Sequence, residues 1–172
     1  RVKREIPPPS PLPALREHGR EMPPYRYVPG LNPHPFRHAG GHMYTDGSAP
    51  TEEPWTPETD WREDKRHLFA ADLFDHRFMW EAHEAWEALW HHAEDDSAER
   101  ALLQGLICCA AASLKHHMAA PSAAAKLHAR AVTVFKPWSD TSVIYGVAYA
   151  EVLADTERHL RGGSWPRLHM VL

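Results

Sequence analysis

Apolar residues fall at helical spacing from about residue 59 onward, and no comparable order precedes them. Thr59 or Asp60 is placed to cap a first helix running through Leu73, burying Leu68, Phe69, Ala71, Leu73 and Phe74. Asp75-His76-Arg77 interrupts the pattern, and a second helix is expected over 78–93. Asp96 or Ser97 caps a third, which carries Leu102, Leu103, Leu106, Ile107, Ala110, Ala111 and Leu114. Pro121 or Ser122 opens a fourth, Ala-rich helix to about Phe135, and 137–141 reads as a loop. The last helix spans roughly Tyr145 to Leu160 and stops at Gly162-Gly163. No strand alternation and no internal repeat competes. Short connections between the middle helices favour antiparallel neighbours, so the expected fold is all-α, a compact antiparallel bundle of about four to five helices.

Proline separates this region from what precedes it. Of the 16 prolines, 13 lie at or before Pro57, which forbids long helices there. Residues 1–57 are therefore expected as a non-helical, proline-rich arm and residues 58–172 as the helical domain. Pro7-Pro8-Pro9 and the prolines at 11 and 13 predict an extended, flexible start. The stretch 23–46 differs, because Tyr25, Tyr27, Leu31 and Phe36 are too aromatic and apolar for a disordered tail. That stretch is expected to pack on the bundle, so that the arm wraps it.

Composition narrows the function classes. The formal charge of −4 gives no basic footprint for nucleic acid. No apolar run approaches the roughly 20 residues that span a bilayer, and no signal-peptide core opens the chain. The two cysteines, Cys108 and Cys109, are adjacent within an apolar helical run and read as small buried hydrophobes. The default expectation is a cytoplasmic protein with no membrane and no nucleic-acid partner. Spare aromatic residues make a homo-dimer or a protein partner a fair expectation.

The chemistry is concentrated in Phe78-Met-Trp-Glu-Ala-His-Glu-Ala-Trp-Glu-Ala-Leu-Trp90. On a helical wheel Phe78, Ala82, Ala85, Trp86 and Leu89 share the core arc, with Met79 and Trp90 at its edge. From Phe78, His83 falls at about 140° and Glu87 at about 180°, one turn apart and able to share a partner. Trp80 and Glu84 point away from the core, and the arm is the simplest cover for Trp80. On the third helix His117 falls inside the core arc, and antiparallel packing would bring it to the level of Trp80 and His83.

Three stretches together resemble a known family: Phe69-Ala-Ala-Asp-Leu-Phe-Asp-His-Arg-Phe78, Glu81-Ala-His-Glu-Ala-Trp-Glu-Ala-Leu-Trp90, and Leu103-Gln-Gly-Leu-Ile107 with its Ala-rich continuation. In order and spacing they resemble the DUF309 family over about residues 62–136. That resemblance implies an all-α fold and brings no established activity. Pro29 to Tyr44 resembles an N-terminal extension of some members. The family pattern continues with Gln after Gly-Leu-Ile; here that position is Cys108, so no amide role carries over.

Three readings of the polar residues stay open. His83 and Glu87 can be members of a buried hydrogen-bond network, the common fate of such groups. They can instead be ligands of a divalent metal (Zn, Fe or Mn), with His117 as a third ligand and Glu84 as a catalytic base for hydrolysis. Or Trp80, His83, Glu84, Glu87, Trp90 and His117 can line a metal-free pocket for a small ligand. His34, His38 and His42 recur at four-residue intervals, but the glycines and prolines among them rule out a shared helix face, so their spacing adds little to a metal reading. The matching functions are a metal-dependent helical protein, or a non-catalytic interaction module whose polar cluster holds the arm.

Overall fold

The computed structural model describes residues 3–46 and 53–171; residues 1–2 and 47–52 of the expected arm, with Leu172, lie outside the described residues. Among these residues there are five α-helices: α1 (Lys65–Asp75), α2 (Met79–Trp90), α3 (Ala98–His117), α4 (Pro121–Phe135) and α5 (Tyr149–Leu160). The only extended pairing among them is a pair of isolated bridges, Ile144 with Val147 and Val147 with Met170. The bundle is compact and all-helical, and no described helix is long and apolar enough to cross a membrane.

Two helices start later than their apolar spacing suggests, and in both cases a local polar or turn preference decides. Asp60 accepts from Arg62 N and closes a single 3-10 turn at Trp61–Glu63. Asp64 then caps α1 by accepting from His67 N, so the helix starts at Lys65. Ahead of α5, Ile144 and Val147 exchange backbone hydrogen bonds of 3.0 and 2.8 Å around Tyr145-Gly146. Both central residues have positive φ (46° and 79°), the requirement of a tight two-residue turn, so α5 begins at Tyr149.

Helix α3 is the axis of the bundle. Leu102, Leu103, Leu106, Cys109, Ala110 and Leu114 are buried along it, with α2 on one side and α4 on the other. Gly105 decides the approach of α4, because a Cβ there would overlap the buried ring of Phe135. Trp86 of α2 is fully buried beside Phe74 of α1, ring centroids 5.7 Å apart. Each such large side chain contributes about 1.5–3 kcal/mol of burial free energy. Both cysteines are free and buried, and burial pushes the Cys109 thiol up to about 12. These thiols pack as apolar groups and are not nucleophiles.

Candidate functional site

The position of α2 is set by how α1 ends. Arg77 adopts a left-handed conformation (φ 68°). Phe78 N then donates to Leu73 O (2.8 Å) and Arg77 N to Phe74 O (3.0 Å). This paired closure is the Schellman motif, here with arginine where glycine is usual. Met79, Ala82, Trp86 and Leu89 of α2 consequently face the core.

His83, Glu84 and Glu87 come together on the outer side of α2. His83 Nδ1 lies 3.4 Å from Glu84 Oε1, and Nε2 lies 3.8 Å from Glu87 Oε2. One potential ligand atom from each residue lies within 4.8 Å of the others. All three are half-buried, so the cluster is open to solvent on one side. Metal ligands at about 2.0–2.2 Å from an ion are closer together than this.

Glu81 was missed by the wheel as a functional position, although it lies next to Ala85 on the flank of the core arc. Its side chain is only 3% exposed. Oε2 accepts from Tyr27 N (3.2 Å) and lies 3.0 Å from His42 Nε2. Oε1 is buried with no hydrogen-bond partner among the described residues. Beside it, Trp80 meets Tyr27, His34 and Phe36 at ring-centroid distances of 5.1, 5.6 and 5.7 Å. A cavity of about 710 Å³ lies between residues 20–24, residues 36–43 and the α1–α2 pair, and Glu81, Glu84 and Glu87 all line it.

The other sequence candidates lie elsewhere. His117 is not level with His83. It occupies a second cleft with His116, His159 and Trp165, and its Nε2 lies 2.8 Å from Arg4 O. The reason is length: α3 is 20 residues long, and His117 is its last residue. His34 Nδ1 accepts from Phe36 N and Arg37 N, and His38 Nδ1 accepts from Gly40 N, so both cap turns. Trp90 stands beneath the Arg100 guanidinium at 4.2 Å.

Further buried polar groups drew no notice as site residues in the sequence. Asp72 is fully buried and accepts from Arg16 N (2.7 Å) and the Arg16 guanidinium, with His18 Nε2 3.0 Å away. Asp75 takes the other Arg16 nitrogen (3.0 Å) and Leu168 N (2.7 Å). Asp64, already the α1 cap, also accepts from Trp55 Nε1 (2.9 Å) and the Tyr145 hydroxyl (2.6 Å). Burial, then the hydrogen bond to Asp64, pushes the Tyr145 hydroxyl up. His67 Nδ1 accepts from Trp86 Nε1 at 3.2 Å. Burial, opposed by the Asp64 charge, lowers the His67 imidazole to about 4. It is neutral in the folded protein at neutral pH.

Residues 68–127 match the family model described as Domain of unknown function (DUF309). The matched stretch runs from α1 into α4 and contains all of α2, including His83, Glu84 and Glu87. A search of curated proteins and a search of solved structures found no match.

Proposed function

We propose that this helical protein binds one divalent metal ion through His83, Glu84 and Glu87, and that the ion supports hydrolytic chemistry at the mouth of the cavity beside α2. The observation that supports this reading is the convergence of one imidazole and two carboxylates within 4.8 Å on a half-exposed surface. Three protein ligands leave a coordination position for water, which is the pattern of catalytic rather than structural sites. Mixed imidazole and carboxylate donors suit Zn, Fe or Mn. Held there, such an ion would supply a nucleophile near neutral pH by lowering the pKa of water. Glu84 then serves as a ligand; the separate base expected from the sequence has no other candidate in the cluster.

Metal analysis of untagged full-length protein tests this directly. About one ion per chain is expected, and His83→Ala should lose it. The exposed ion pairs of His83 contribute little to folding, so stability should change by less than about 1 kcal/mol. A metal-free wild-type protein would end the proposal.

Glu81 favours a second reading. Its contacts run to Tyr27 and His42, so α2 would act as a clamp for residues 25–42 in a non-catalytic interaction module. In that case Glu81→Ala lowers Tm strongly while no metal is found in the wild type.

A further inference from the structure

From the cavity that Glu81 lines we infer a second binding function, independent of the metal reading: the 710 Å³ cavity takes a small organic amine, whose ammonium pairs with the Glu81 carboxylate and whose hydrocarbon lies along Met22, Phe69 and Leu73.

Three observations carry it. Glu81 is the most deeply buried acid on the cavity wall, and half of its carboxylate is unused. Oε2 is occupied by Tyr27 N and His42, whereas Oε1 has no donor among the described residues. A buried acceptor without a partner is unfavourable, more so when it is charged, and a ligand N–H would relieve it.

The charge around it has the matching sign. Leaving aside the proposed metal ligands Glu84 and Glu87, Glu21, Glu53 and Glu81 line the cavity, against the two guanidiniums of Arg20 and Arg66. Neither guanidinium is directed at Glu81. Arg66 donates to the Glu53 and Pro54 carbonyls, and Arg20 stands over the Phe69 ring at 5.3 Å. The surplus of carboxylates favours a cation and disfavours an acid.

The cation is organic rather than a metal. Among the described residues the converging ligand set is His83, Glu84 and Glu87, and Glu81 is not part of it. A bare ion at Glu81 would have too few oxygen ligands. The cavity is also far larger than an ion and carries the apolar surface of Met22, Phe69 and Leu73, which suits a hydrocarbon next to the charge.

Titration calorimetry of the full-length protein with phenethylamine, and with 2-phenylethanol as its uncharged isostere, tests the inference. Saturable binding of the amine is expected, at least tenfold tighter than the alcohol. Glu81→Gln keeps the shape and removes the charge, and should weaken the amine at least tenfold. If Glu81→Gln fails to fold, Ala88→Leu narrows the same cavity from α2 and should abolish amine binding. His83→Ala, which removes the proposed metal, should leave amine binding intact. Equal affinity for the alcohol, unchanged affinity in Glu81→Gln or Ala88→Leu, or loss of binding in His83→Ala would each overturn the inference. Metal content is measured separately, so failure of one proposal leaves the other standing.

Discussion

Glu81 and His83 are two residues apart on α2 and have opposite environments. Glu81 is enclosed and hydrogen-bonded across 54 and 39 positions of sequence, to Tyr27 and His42. His83 has ion-pair partners one and four residues away on the same helix. A wheel finds the second kind of relation, because it follows from the 3.6-residue period alone. It cannot find the first, which depends on where a distant non-helical segment comes to lie. The buried histidine His67 gives a prediction at this scale. Its folded value of about 4 lies below the ordinary 6.5, so the unfolded chain binds more protons between those values. Its contribution is therefore complete above about pH 6.5 and is lost as pH falls toward 4, amounting to about 3 kcal/mol. Urea unfolding across that range should show the slope, and His67→Gln should reduce it, leaving the part due to His159, which burial also lowers to about 4.

At the scale of elements, the helix ends show which local rules prevailed. Three of the helices close with the same paired hydrogen bonds around a left-handed residue: Arg77 after α1, Ala119 after α3 and Gly162 after α5. Only the last carries glycine, and it is the stop most legible in the sequence. Ala119 has φ 58°, a conformation that costs an alanine about 1 kcal/mol relative to glycine. Ala119→Gly should accordingly raise stability by about that amount, the reverse of the usual effect of glycine near a helix. Ser97, which accepts from Arg100 N, was one of two caps proposed for α3. Ser97→Ala should cost about 1 kcal/mol. Both changes can be read as shifts in the thermal midpoint. Asp64 shows why α1 starts later than a cap at Thr59 or Asp60 predicts: its own carboxylate accepts from His67 N and fixes the first turn there, while Asp60 closes only a single 3-10 turn.

At the scale of the whole molecule, the buried acids Asp72 and Asp75 link the two ends of the chain to α1. Arg16 and His18 reach Asp72, Arg16 also reaches Asp75, and Leu168 N donates to Asp75. Burying carboxylates is costly unless they are paired, so removing one partner should be far more damaging than a surface change. Arg16→Ala is expected to lower unfolding free energy by about 3 kcal/mol, measured by urea denaturation. A loss below about 1 kcal/mol would show that solvent replaces the guanidinium freely.

The sequence by itself determined the helical class, the order of the five helices, the core face of α2 and the one-turn spacing of His83 and Glu87. These follow from helical period, caps and breakers, which act over a few residues. Tertiary structure alone decided that Glu81 lies buried against His42, that Trp80 meets Tyr27, His34 and Phe36, and that His117 joins His116 and His159 in a separate cleft. Each of these depends on the path of a proline-rich segment or on the full length of α3. Such a segment has no hydrogen-bonded period of its own, so its path is set by the surface that receives it.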